Sequence, residues 1–409
     1  MNSEFDGRVR LVSVQLKRVF LKPGREKSLL RRHPWVFSGA IERVEGSPAV
    51  GETMDVVAST GEFLARGAYS PASQIRLRVW TFDEEESVDE AFIARRLARA
   101  VESRERLGLV DPEGACRLVF AESDGLPGLV VDRYADFVVC QFLSAGADSL
   151  RATIAELLEE LSGARGVYER SEASSRKKEG LPSLRGTLRG ADPPAAIEVR
   201  SGDARFLVDV VNGQKTGAYL DQQANRRRVA SYALDADVLD AFAYTGGFAI
   251  SALKAGAASA VLVDSSEEAL RLADRETVAN GVGDRCRFVV ANVFDELRVL
   301  REAGESYDLV ILDPPKFVHS AEQVNAGSRG YKDVNMLGLS LVRPGGVLAT
   351  FSCSGHVDAA LFQKIVAGAA LDAGRDAQII ERLAQPPDHP VALEFPEAEY
   401  LKGLVLRVH

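Results

Sequence analysis

The sequence predicts an α/β protein. Its C-terminal half is expected to be a doubly wound, mainly parallel seven-stranded sheet, preceded by a small α+β unit and an N-terminal all-β unit. Three observations predict this. From about residue 201, apolar runs of strand length alternate with amphipathic stretches of helix length, the rhythm of right-handed βαβ units. Residues 86–200 mix helical spacing with hairpin signals. Residues 1–85 alternate apolar and polar positions at period two between turn residues. A chain of 409 residues with 46% apolar content suits two or three such units, placed here at 1–85, 86–200 and 201–409.

The elements follow in order. "VSVQLKRVFL", the segment "GETMDVVASTGEFLARGAYS" and "QIRLRVW" read as short strands. The spacing of Ile93, Leu97 and Val101 predicts a helix over roughly 88–107. "GLPGLVVDRYADFVVCQFLS" reads as a hairpin, and Leu150, Ile154, Leu157 and Leu161 mark a second helical face. A strand at "GVYERSE" is expected to run into a long polar loop over 171–193. Then come the seven strands "VLDAFA", "AVLVD", "RFVVANVF", "YDLVILDPP", "VLATFSCS", "AQIIERL" and "YLKGLVLRV", with helices between the first six.

Several function classes are disfavoured. No run of about 18 apolar residues is present, so no membrane span is expected. The first twenty residues do not read as a signal peptide. Four scattered cysteines form neither a metal-ligand spacing nor a disulfide framework, so no metal and a reducing cytoplasm are expected. The net charge is −9, yet residues 1–80 carry 13 basic and 8 acidic residues. That asymmetry points either to a nucleic-acid-binding end or to a solvated basic face.

In an open parallel sheet, ligands bind at the carboxyl ends of the strands, so those positions matter most. "DAFAYTGGF" is the first strand-to-helix turn, where Gly246 and Gly247 admit a ligand to the backbone. It lacks G-x-G-x-x-G, which disfavours a dinucleotide oxidoreductase. Asp240 is placed to accept from a ligand ammonium. Asp264 and Ser265 end the second strand, where an acid binds ribose hydroxyls. Asn292, Val293 and Phe294 end the third and are placed to hold adenine. Each alone would be a routine loop group; together they favour an adenosyl ligand. "ILDPPKF" ends the fourth strand, and two prolines stiffen the backbone after Asp313. Lys316 follows, next to where a phosphate or a base would sit.

Cys353 ends the fifth strand. A lone cysteine is usually buried and structural, as Cys116, Cys140 and Cys286 are expected to be. Cys353 differs because the ligand edge of the sheet passes through it. A thiolate there is placed to add to C6 of cytosine, making C5 able to attack a methyl sulfonium. Its ionisation needs a cation or helix N-terminus nearby, with Lys316, Lys332 and His356 as candidates. Asp313 and His356 are candidates for the base that removes the C5 proton.

These segments resemble the bacterial 23S ribosomal RNA cytosine-5 methyltransferases of the RlmI type. "DAFAYTGGF", "LDPPKF" and "SCS" carry the resemblance, and "HPWVFSGAI", "ESDGLPGLVVDRY", "VYERSE", "NGQKTGAYLDQQANR" and "YLKG" extend it over nearly the whole chain. The resemblance implies an N-terminal PUA RNA-binding domain, a central α+β domain and a class I, Rossmann-like methyltransferase domain using S-adenosylmethionine. It implies cofactor contacts at Asp240, Ala241, Phe242, Tyr244, Thr245, Gly246, Gly247, Phe248, Asp264, Ser265, Asn292, Val293, Phe294 and Asp313. Lys215, Thr216, Tyr219 and Gln222 border the cofactor more loosely. It also implies catalysis by Cys353 and Asp313, a 23S ribosomal RNA or large-subunit intermediate as substrate, and a homodimer. The sequence departs from the family in having Asn292 where aspartate is commoner, and in lacking the second cysteine many 5-methylcytosine enzymes carry after the fourth-strand proline.

On that reading the basic N-terminal region becomes an RNA face. Arg8, Arg10, Lys17, Arg18, Lys22, Arg25, Lys27, Arg31 and Arg32 are candidates for phosphate contacts, with Lys316 and Lys332 nearer the site. Trp35 and Phe37 either stack on a base or pack in the core. Two other readings stay open: methylation of a guanine nitrogen, which needs no thiol, and a silent RNA-binding protein that keeps the fold.

Overall fold

Residues 16–409 are described by a computed structural model. Arg8 and Arg10 lie outside the described residues.

The N-terminal unit is one six-stranded sheet in the order Trp35–Phe37, Ile75–Thr81, Phe63–Tyr69, Thr53–Val57, Arg18–Leu21, Ile41–Val44. Its inward positions alternate as expected, so Val19, Leu21, Met54, Val56, Leu77 and Val79 close one core. Lys22, Arg25, Lys27, Arg31 and Arg32 are exposed on the connection between Arg18–Leu21 and Trp35–Phe37. Lys17 instead pairs with Glu52 at 2.9 Å. Trp35 is packed: its Nε1 donates to Glu122 at 2.8 Å and its ring meets His33 and Phe395 edge-on. Phe37 is 49% exposed.

In the central unit a helix at Glu90–Arg106 is capped by Asp89, which accepts from the Phe92 N–H, and it buries Ile93, Leu97 and Val101 as the spacing predicts. A second helix, Arg151–Ser162, lies beside it over a five-stranded sheet. The expected polar loop is corrected here. Leu184–Gly190 is an edge strand antiparallel to Gly166–Ser171. Arg176, in the short helix Ser175–Lys178, is 1% exposed and donates to Asp148 and the Phe142 and Pro182 carbonyls. Tertiary pairing overrides the polar, glycine-containing sequence. A hairpin, Ile197–Ser201 with Ala204–Val208, leads into the last unit.

That unit is a seven-stranded sheet: β1 Asp237–Ala241, β2 Ser259–Asp264, β3 Cys286–Val290, β4 Tyr307–Leu312, β5 Val342–Ser352, β6 Ala377–Ala384 and β7 Lys402–Val408. The spatial order is β3-β2-β1-β4-β5-β7-β6, parallel except for β7. Its helices are α1 Gln223–Ala230, α2 Gly247–Lys254, α3 Glu267–Ala279, α4 Val293–Glu302, α5 Val324–Leu341 and α6 Ala359–Asp372. Alternate residues feed two cores: Leu239, Val310 and Leu348 on one face, Val238, Ile311 and Ala349 on the other. The chain reverses direction across the sheet between β1 and β4, which opens a crevice at their carboxyl ends.

Buried charges tie the central unit to the segment between β6 and β7. Arg104, 1% exposed, grips both oxygens of Asp124 at 2.7 and 2.8 Å and donates to the Asp388 carbonyl at 2.9 Å. The Arg117 N–H donates to Asp388, while its guanidinium grips Asp132 through two 2.8 Å bonds. Removing one partner leaves the other charge buried and unpaired. Arg104→Met is therefore expected to destabilise the protein by about 3–5 kcal/mol, and adding Asp124→Leu should recover much of that loss, as measured by urea unfolding. Among the described residues, no helix is long and apolar enough to cross a membrane.

Candidate active site

The turn after β1 is conformationally costly. Phe242, Tyr244 and Gly246 all take left-handed backbone angles, with φ of 64°, 50° and 75°. Such a conformation persists where the surroundings over-determine it. Asp264 does part of that work: its carboxylate accepts from the N–H groups of Tyr244 and Ser266, each at 2.9 Å. The turn thereby delivers Gly246 and Gly247 to the start of α2.

Asp240 is 1% exposed and accepts from the Ala249 N–H at 3.0 Å. Its other oxygen is enclosed and has no partner among the described residues. Burial pushes its pKa up to about 7; the Ala249 bond opposes this and the charge of Asp313 adds to it. The native state thus holds a proton between about pH 4 and 7 that the unfolded chain has lost, so this group costs stability as pH rises through that window. Asp240→Asn is expected to match the parent in stability near pH 4 and exceed it above pH 7 by up to about 4 kcal/mol. Urea midpoints of the ligand-free proteins at pH 5 and 8 check this.

The third strand needs correction. β3 stops at Val290, and Asn292 is the N-cap of α4, its Oδ1 accepting from the N–H groups of Phe294 and Asp295. The amide oxygen expected to face adenine is thus occupied, and the exposed amide nitrogen is the free group. Phe294 still supplies a wall, edge-on to Phe242 at 6.2 Å and next to Phe317 at 5.9 Å.

Asp313 follows β4 and is positioned by Gln222, whose Nε2 donates to it at 2.9 Å. Burial raises its pKa to about 6; Asp221 contributes, and the Gln222 bond opposes. Cys353 follows β5, the neighbouring strand, and is partly exposed. Burial and the Asp313 carboxylate push its thiol up, and Lys215 pulls it down. The backbone around it is fixed: the Ser354 hydroxyl meets Tyr331 at 2.9 Å, and the Ser354 carbonyl accepts from Lys402 at 2.7 Å.

Lys215 donates to Asp221 at 2.8 Å and lies over the Tyr219 ring. The Tyr400 hydroxyl donates to the same Asp221 oxygen at 2.6 Å. Burial alone would raise Asp221, but Lys215 holds it well below the usual carboxylate range. Tyr219 stands edge-on to Tyr244 at 5.6 Å.

The structure gathers Asp240, the 241–248 turn, Asp264, Asp313, Cys353, Lys215, Tyr219 and Gln222 at one edge. Lys316 and His356 are exposed on the loops after β4 and β5. Two expected residues are elsewhere. Thr216 is fully buried, bridging Asp132 and Tyr134 of the central unit. Lys332 pairs with Asp372 across α5 and α6 at 2.7 Å. The cations whose charge reaches the thiol include Lys215 and Lys402. Two residues escaped the sequence reading: Lys402, the first residue of β7, and Arg226, one of three consecutive arginines on α1. Among the described residues no three His, Cys, Asp or Glu side chains converge as metal ligands would.

The edge fits an adenosylated amino acid in its turn, its orphaned carboxylate and its aromatic wall. Two family models match: a PUA-like domain over residues 19–82 and an S-adenosylmethionine-dependent methyltransferase over 185–407. Ribosomal RNA large subunit methyltransferase I of Aeromonas salmonicida is 53% identical over 390 residues, covering 95% of this chain and 98% of its own. Its namesake in Escherichia coli O139:H28 is 50% identical over 392 residues, covering 96% and 99%. A candidate SAM-dependent methyltransferase of Streptococcus mutans shares the fold at TM-score 0.81, with 20% identity over 95% of this chain and 99% of that one. With a strand order, a ligand edge and full-length relatives all in agreement, this chain belongs to the S-adenosylmethionine-dependent methyltransferases of the large-subunit methyltransferase I family.

Proposed function

We propose that this enzyme methylates C5 of a cytidine in large-subunit ribosomal RNA through a covalent bond to Cys353. The observation that carries the reading is the placement of Cys353 beside Asp313 on adjacent strand ends, on a fixed loop and under the charge of Lys215. The names of the full-length relatives support ribosomal RNA as substrate. So does the exposed cationic connection of the PUA-like unit, whose Lys22, Arg25, Lys27, Arg31 and Arg32 form no ion pair among the described residues.

S-adenosylmethionine, when bound, supplies an electrophilic methyl group and a positive charge that favours the thiolate. Asp240, the glycine turn, Asp264 and the Phe294 wall would hold it. The Cys353 proton leaves to solvent, which the partly exposed side chain reaches. Its sulfur bonds to C6, the π pair of the C5–C6 bond moves to C5, and C5 would take the methyl as the methyl–sulfur bond breaks, its electron pair staying on sulfur so that the neutral thioether S-adenosylhomocysteine leaves. Asp313 then accepts the proton from C5, the C6–Sγ bond breaks, and 5-methylcytidine is released. Gln222 positions Asp313 for that step. The test is to incubate ribosomal RNA from cells lacking the gene with enzyme and methyl-labelled cofactor, then digest it to nucleosides. Label in 5-methylcytidine is expected; label on a guanine nitrogen would overturn the reading.

A further inference from the structure

Among the described residues, Arg226 on α1 forms no ion pair. Its guanidinium fills the space a side chain at Gly247 would need: a Cβ built there stands 2.7 Å from Cζ and Nε and 3.0 Å from Nη1. Nε is fully enclosed and meets no acceptor. Among the described residues Arg226 makes no ion pair within 4.0 Å. Its neighbours in sequence differ, since Arg228 pairs with Glu381 at 2.7 Å and Arg227 is exposed. Asp313, Asp221 and Asp240 lie close enough to favour its charge, yet burial still lowers its pKa. A cation held in this way is costly unless an anion completes it.

The group that belongs in this crevice has one anionic centre, the α-carboxylate of its methionine moiety. Arg226 shares a pocket with Tyr219, Tyr244 and Thr245, at the turn where the amino-acid end would lie. The orphaned oxygen of Asp240 stands ready for the neighbouring ammonium. We propose that Arg226 binds the carboxylate of S-adenosylmethionine across Gly247, and that it is the residue that tells the amino acid from its decarboxylated form. A guanidinium suits this because it meets a carboxylate through two parallel N–H donors.

This inference rests on the cofactor and not on the cytosine assignment, so the two fail separately. Calorimetry without RNA tests it. The probes are S-adenosylmethionine and its decarboxylated analogue, which keeps the ammonium, sulfonium and adenosine. The parent should bind the first at least about 30-fold more tightly, the factor expected when a desolvated charge pair loses one partner. In Arg226→Ala that ratio should fall to near one, through weaker binding of S-adenosylmethionine with the analogue affected less than about threefold. Arg226→Lys should restore part of the ratio. Unchanged analogue binding also reports that the turn is intact. Equal losses for both probes would mean that Arg226 merely shapes the turn, and an unchanged ratio would mean that the carboxylate lies elsewhere; either overturns the proposal.

Discussion

Cys353→Ala is expected to lower methyl transfer to RNA by roughly 10⁴-fold or more, while cofactor affinity stays within a few-fold. The reason is chemical. C5 of cytosine is a weak nucleophile until a sulfur adds at C6, and no other thiol reaches this edge. Cys116 and Cys140 are buried in the central sheet, and Cys286 begins β3 at the far end of its strand. Cys353→Ser should not rescue, because a hydroxyl ionises far less readily than a thiol. RNA carrying 5-fluorocytidine at the target offers a direct readout, since fluorine cannot leave as a proton does. The parent should form an adduct stable to denaturing electrophoresis, and Cys353→Ala should form none. A variant that still methylates at the parental rate would refute the covalent route and favour a guanine nitrogen as acceptor.

Asp313→Asn is expected to reduce kcat by about 10²–10³-fold, the usual worth of a positioned base. Its pH signature is more telling than its size. With a carboxyl raised to about 6, the free enzyme holds a proton below that pH and cannot accept another. In the parent, kcat/KM for S-adenosylmethionine should therefore rise through a limb near 6, with a further rise above it as Asp240 and the Cys353 thiol ionise. A bound sulfonium favours the ionised carboxylate, so the corresponding limb in kcat should lie lower. Asp313→Asn should lose the limb altogether. The new side-chain amide keeps an oxygen that can accept from Gln222 Nε2, while the Gln222 oxygen goes on accepting from Asn225, so the fold should survive.

The sequence makes the strand ends legible because apolar runs stop there: Asp240, Asp264, Asp313 and Cys353 each lie at or just past the end of one. The parallel sheet then carries all four to one edge. What stays hidden depends on contacts distant in sequence. Nothing in "NRRRV" says which arginine turns inward, since that depends on how α1 seats against Gly247. Lys402 reaches the Cys353 loop because β7 runs antiparallel to β5. Asn292 is less legible because it lies past the end of β3 and is also the N-cap of α4, a role that only the structure shows. Leu184–Gly190 reads as a loop because its pairing with Gly166–Ser171 outweighs its own weak strand preference.

The Arg104–Asp124–Asp388–Arg117–Asp132 chain of contacts has a mechanical meaning. It fastens the two larger units together beside the crevice, where a hinge would otherwise be convenient. Separating the units at that seam would strip the Asp388 contacts from two buried guanidinium-bearing residues, so the crevice edge and the central unit are expected to move as one piece.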